Sequence, residues 1–488
     1  MSNKKIYLYG LLGFLALYFW SFAGSFFPLF NTAGFLLIMI GVILLMIKDW
    51  QLGLVAIAVE LILNGKGYLF AINLHGFHLS LRIALWAVVM VVSAICLINK
   101  RNWQELAGLW RKKQFWPIMA IAVLVIWGIA QGFINHHDFG NLFFDANNWI
   151  FGLTILPVLF WRKAPKYSAP ILLAALSALS VITIWLLYAF SHDFGGANYV
   201  TYAWVRDSGL GEITLMPAGF YRIFIQSQLY LLPLFFGAFL FWGRARRTQW
   251  LALSAATLAL APMVISLSRS FWVGLAIGWV AWVLLAYYKQ RQSAKEIIVQ
   301  IGLMLAALVI SVVLLVTAVK LPWPQAQSDV SARMLAERAT AINSEAGASS
   351  RWALLPKLWQ AINRQPLIGQ GFGATVTYHS SDPRVLESNP NGDYTTYAFE
   401  WGWLELWLKM GIGAVLAFVA LFYSLSRGLI KQNTSLSLSL AVAIICLAAV
   451  NVFSPYLNHP LGLGLIMLAV LTMKQGLGSS ALAKNTKI

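Results

Sequence analysis

The chain has 488 residues, 60% hydrophobic and only 11% charged, with a formal net charge of +18. Soluble globular proteins are roughly 45–50% apolar and about 25% charged, so this composition excludes an ordinary water-soluble domain and makes lipid the solvent. The two cysteines, Cys96 and Cys446, both fall in apolar runs and provide neither a disulfide framework nor metal-ligand spacing.

Residues Met1 to Lys5 form a charged start, and the apolar run behind them continues to about Phe27 with no small-x-small cleavage site. It reads as a first span with a cytoplasmic N-terminus, not as a removable signal. Apolar runs bounded by charges, Gly, Pro or Asn predict further spans, giving 6–27, 31–47, 51–64, 79–99, 115–133, 148–161, 168–190, 222–242, 249–267, 270–288, 296–318, 401–426, 436–454 and 459–473. The expected fold is therefore an all-α integral membrane protein of about fourteen transmembrane helices, with residues 1–488 forming one polytopic unit. The runs 51–64 and 148–161 are short for a bilayer core of ~30 Å.

Charge gives an independent check on this count. With the N-terminus inside, every second loop is basic, from Lys4 and Lys5 through Lys112 and Lys113 to Lys474, Lys484 and Lys487, and both termini are cytoplasmic. These inside segments hold only Asp49, Glu105 and Glu296 as acids. The basic residues thus follow membrane topology, and a nucleic-acid partner is excluded. Polar chemistry collects on the opposite face, in two large extracytoplasmic loops at 191–221 and 319–400. A connector as long as the second is functional or disordered as a rule. Its centre has the pattern of an amphipathic helix near 350–364, with Ser349 and Ser350 as N-cap candidates and Trp352, Leu355, Trp359 and Ile362 on one face. Pro366, Gly369, Gly371 and Gly373 then predict a turn; a dinucleotide site would need a preceding strand.

Three arginines on the outer face suit an anionic headgroup, because a guanidinium stays charged and makes forked bonds to phosphate oxygens. Arg222 opens the span at 222–242, with Gln226 and Gln228 one turn further on. Arg269 sits in the corner Ser266-Leu267-Ser268-Arg269-Ser270, and Arg351 begins the loop helix. Interfacial snorkelling explains any one of them alone. Their convergence is the functional expectation. At the end of the long loop, Tyr397-Ala398-Phe399-Glu400-Trp401-Gly402-Trp403 leads into a span. Glu400 at the membrane edge is a candidate general base if partial desolvation raises its pKa. Glu405 and Lys409, four apart, are expected to form a bundle-facing ion pair. Trp401, Trp403 and Trp407 read first as an interfacial aromatic belt, with Tyr397, Trp401 and Trp403 as candidate substrate contacts. His136, His137, His192 and His459 have no metal-ligand spacing, and no metal site is expected.

Taken in order, these motifs resemble the O-antigen ligase and Wzy-type polymerase superfamily of bacterial envelope glycosyltransferases. The resemblance runs from about Met216 to Gly413: Ser268-Arg269-Ser270, then Arg351-Trp352 through Trp359 and Ala361, then Pro366-Leu367-Ile368-Gly369-Gln370-Gly371-Phe372-Gly373, then Trp403-Leu404 to Gly411. Where the family carries a histidine, this chain has Glu400, and where it carries an asparagine, Trp401. The resemblance implies a GT-C-like helical fold in the bacterial cytoplasmic (inner) membrane. It also implies transfer of an oligosaccharide from undecaprenyl diphosphate to a glycan or lipid-glycan acceptor, without cofactor or divalent ion. Glu400 would take the acceptor proton, and Arg222, Arg269 and Arg351 would hold the diphosphate. Two other classes stay open on the residues alone: a transporter or flippase for a lipid-linked or anionic solute, and a non-catalytic assembly protein. The transporter would show internal repeats, and none is visible.

Overall fold

The computed structural model describes residues 2–485 apart from 75–76, 100–102, 105, 109–111, 162–164, 193, 195, 217–218, 241–245 and 325–345. The basic residues Lys100, Arg101, Arg111, Arg162, Lys163 and Arg244 lie outside the described residues, as does most of the stretch between Gln325 and Ala348. Each apolar run of the sequence falls on a helix. Among the described residues, nine helices are long and apolar enough to cross a membrane: Asn3–Phe26, Pro28–Lys48, Lys113–Ile134, Phe139–Phe160, Ser168–Ser191, Thr248–Ile265, Arg269–Tyr288, Ala294–Lys320 and Ile412–Gln432. Five more are apolar but shorter: Gln51–Leu63, Leu81–Leu97, Gln226–Leu240, Ser435–Val450 and Pro460–Gln475.

Burial explains how a short helix is kept. Ser435–Val450 has 16 residues, about 24 Å of rise, and is buried on nearly every side from Ser437 to Val450. A helix that is apolar all round belongs at the centre of a bundle. Arg269–Tyr288 lies directly on it through Gly274 and Gly278, where a side chain would strike Val450 and Cys446. Small residues at that spacing let two backbones approach in lipid, where close packing replaces the hydrophobic effect as the force between helices.

Three predicted boundaries are corrected. The run 148–161 is the end of a longer element that starts at Phe139 and includes a 3₁₀ turn at Phe151–Thr154, so it is not a short span. The span at 401–426 is two helices, Gly402–Met410 and Ile412–Gln432, broken at Gly411 with φ +77°. Arg222 does not open a helix: it lies on the strand Tyr221–Phe224, paired antiparallel with Glu212–Leu215, and the helical segment begins at Gln226. Two more hairpins, Ala71–Leu74 with Phe77–Ser80 and Val376–His379 with Asp393–Thr396, complete the strand content of the described residues.

Candidate functional site

The long loop has an ordered heart. Its helix spans Ala346–Ile362 and buries Leu354, Leu358, Ala361 and Ile362 against Ala374, Val376, Phe399, Trp401 and Leu408. The helix begins four residues before Ser350. Ser350 is no N-cap; its Oγ shares a hydrogen bond with Ser380 Oγ at 3.0 Å and accepts from the Ser381 N–H at 3.2 Å. This ties the helix to the segment that follows the third hairpin's first strand.

Behind the helix, the glycine turn is a backbone wedge. Gln370 N–H donates to Leu408 O at 2.7 Å, Gly371 N–H to Lys409 O at 3.0 Å, and Phe372 N–H to Gly128 O at 2.8 Å. The turn therefore bonds to the helix before the break at Gly411 on one side and to Lys113–Ile134 on the other. Gly371 has φ +91°, and any Cβ there would overlap the backbone of Gln131 and Gly132. Gly371→Ala is expected to destabilise the protein by about 2 kcal/mol or more, the left-handed penalty plus the overlap. Thermal unfolding in detergent measures this. Gly196→Ala is the comparison, since Gly196 also has positive φ but faces open space and bears only the backbone part.

The corner residues Ser266 to Ser270 join two helices, with Leu267 at φ +48°. The hairpin packs against this corner: Arg222 Nε donates to Ser266 O at 2.7 Å, and its guanidinium lies 4.9 Å from the centre of the Phe224 ring. Burial lowers the Arg222 pKa, opposed by the charge of Glu212, its diagonal neighbour across the hairpin, and by Tyr456. Arg351 forms a two-point ion pair with Glu400: Nε faces Oε2, and Nη2 donates to Oε1 at 3.1 Å. Burial, then the charges of Arg222 and Arg269, push the Arg351 pKa below its ordinary range. Arg351 therefore feels the charge of the other two arginines. Glu400 stands beside Arg351 with its side chain 49% exposed.

Directly behind Glu400 lies a charge cluster that the sequence disclosed only in part. Lys409 Nζ bonds Glu405 Oε1 at 2.5 Å, as the spacing predicted, and also Asp145 Oδ1 at 2.7 Å. Asp145 Oδ2 accepts the Gly373 N–H at 2.8 Å, and the Lys409 ammonium lies 5.5 Å from the centre of the Phe399 ring. The triad therefore fixes the glycine turn and the residue preceding Glu400 together.

The tryptophans are struts. Indole N–H groups of Trp401, Trp403 and Trp407 donate to the carbonyls of Arg351 (3.0 Å), Ala448 (2.9 Å) and Pro366 (2.8 Å). Trp401 is 9% exposed and sits edge-on to Trp352, so it offers no open face to a sugar. Its indole N–H grips the Arg351 backbone instead. Trp403 is half-buried and packs edge-on to Phe422. Tyr397 is half-buried at the end of the loop hairpin.

Sequence reasoning missed the connection 451–459 between the last two helices. Ser454 Oγ donates to Ser270 Oγ at 3.0 Å beside Arg269, Tyr456 Oη donates to Gln226 O at 3.1 Å, and Asn458 Nδ2 donates to Glu405 Oε1 at 3.2 Å. One segment thus touches the corner, the hairpin's end and the triad. The signal was present as a polar run, Asn451 to His459, closing an apolar stretch.

In comparison with known families, residues 253–419 match the family model described as O-Antigen ligase. The matched region includes Arg269, Arg351 and Glu400, while Arg222, Asp145 and the 451–459 segment lie outside it. No curated protein matches the chain.

Proposed function

We propose, from the match of residues 253–419 to the O-antigen ligase family model, that this membrane protein is a glycosyltransferase moving an oligosaccharide from undecaprenyl diphosphate to a glycan acceptor. The reaction takes place at the outer face of the bacterial cytoplasmic membrane, with both chain termini inside. The observation that carries this is the two-point pair of Arg351 with Glu400, on a guanidinium that also feels the charges of Arg222 and Arg269, with Arg222 bonded to the Ser266 carbonyl of the Arg269 corner. Three cations held close despite mutual repulsion suit a ligand of several negative charges, and a lipid diphosphate is such a ligand.

In this reaction the acceptor hydroxyl oxygen attacks the anomeric carbon of the donor sugar. The bond from that carbon to the phosphate oxygen breaks, its electron pair leaves with the diphosphate, and the hydroxyl proton passes to Glu400. The arginines stabilise the charge that develops on the leaving oxygen, from positions fixed before the substrate arrives. Glu405, Lys409 and Asp145 position the 399–400 segment and do not touch substrate. Transfer by one member of this class differs between polymer and ligase only in the acceptor.

Purified protein, a polyprenyl-diphosphate oligosaccharide and a panel of acceptors test the proposal by released polyprenyl diphosphate. Glu400→Gln is expected to lower turnover by about 10²–10⁴-fold, the usual contribution of a general base. No release by the wild-type protein with any acceptor sinks the enzyme; full turnover by Glu400→Gln removes only the base.

A further inference from the structure

The Arg351 to Glu400 fork raises a question that the arginine grouping alone does not. The side chain assigned to the proton is bound by one of the side chains assigned to the diphosphate. Both are about half exposed, 46% for Arg351 and 49% for Glu400, so each can be reached by a ligand. Glu400 takes the Nε–Nη2 edge of the Arg351 guanidinium, and a diphosphate brought to the adjoining Nη1–Nη2 edge would compete for Nη2 and lie against the carboxylate.

We propose that Arg351 is an exchange latch, so that the donor diphosphate displaces Glu400 from the guanidinium and thereby releases the carboxylate for the acceptor hydroxyl. This rests on the diphosphate assignment above and adds an order of events to it: donor first, acceptor second. The surroundings favour exchange over a static brace. Arg351 carries the repulsion of Arg222 and Arg269. Glu400 offsets that repulsion with one charge, and a diphosphate offsets it with more. Once a diphosphate is seated, a carboxylate left on the same fork would face it as a like charge. Only the side chains need to move. The Arg351 carbonyl is gripped by Trp401 Nε1 at 3.0 Å, and Leu354 and Leu358 hold the helix to the loop core. Phe399, buried in the loop core with its ring 5.5 Å from the Lys409 ammonium, holds the segment that carries Glu400. A latch of this kind keeps the base covered until a donor is present, which limits transfer to water.

The prediction runs against the ordinary expectation for a mutated active site. Glu400→Gln removes the competing charge and is expected to tighten binding of a short-chain polyprenyl diphosphate, farnesyl diphosphate, roughly three- to fivefold, the worth of a partly exposed ion pair. Calorimetric titration of detergent-purified protein reads this without any turnover. In an Arg351→Ala background, the same substitution is expected to change affinity little, because the fork is gone. Unchanged or weaker binding by Glu400→Gln in the presence of wild-type binding overturns the latch and leaves the diphosphate site standing. An equal gain with and without Arg351 overturns it too, since long-range charge then explains the effect. No binding by wild type or any variant overturns both the latch and the diphosphate site.

Discussion

Lys409→Met is expected to lower the stability of the protein by about 3–5 kcal/mol, the usual result of leaving buried charge without its partner. Lys409 is 4% exposed and lies between Asp145 and Glu405, exposed by 4% and 3%. Methionine keeps most of the volume, so the loss is electrostatic: two carboxylates face each other across the space where the ammonium was. The Asn458 amide and the Gly373 N–H that remain on the two carboxylates are neutral donors and do not replace the lost charge. The triad also holds the Gly373 N–H and touches the Phe399 ring, so turnover should fall with stability. Thermal unfolding of the purified protein measures the first effect. Adding Asp145→Asn and Glu405→Gln to Lys409→Met should recover most of the lost stability, because a neutral, hydrogen-bonded cluster no longer contains opposed charges. If the single variant melts with the wild type, the cluster is not a structural tie.

How much of this could be read from the chain differs by element, for physical reasons. Hydropathy located the helices because lipid requires long apolar runs with their backbone bonds closed internally. It failed at Arg222 because four residues of strand, Tyr221 to Phe224, leave no period to distinguish them from the first turn of the helical segment that begins at Gln226. It failed at Phe139–Ile150 because Asp145, Asn147 and Asn148 break the apolar run. Those polar residues are tolerated since Asp145 meets Lys409, 264 residues away. The Glu405 to Lys409 pair was legible because helical spacing alone creates it. Its third member was not, because only the packed bundle does. The glycine turn was legible as a turn, yet its tight seat on Gly132 is a tertiary fact. Glu400 was singled out from its place in the motif order, and its pairing with Arg351 depends on where the loop helix lands. Trp401 shows the opposite case: an edge-of-membrane indole suggested a sugar platform, and the fold uses it to hold the Arg351 backbone.

Arg222→Lys should lower turnover nearly as much as Arg222→Ala, by about 10²-fold, although lysine keeps the charge. The reason lies in how the guanidinium is divided. Its Nε is committed to the Ser266 carbonyl at 2.7 Å, which locks the hairpin to the Arg269 corner and leaves the far edge of the same rigid plane for a phosphate. A lysine ammonium is one point on a flexible stem, so it can meet the carbonyl or the phosphate but cannot span both. Loss of the lock also frees the corner that presents Arg269, so two of the three cations move. If charge alone mattered, Arg222→Lys would keep nearly full turnover while Arg222→Ala fell. Comparable losses in both, with unfolding temperatures close to wild type, would identify forked geometry as the property selected at this position. The same comparison separates Arg222 from a snorkelling interfacial cation, for which lysine is an adequate substitute.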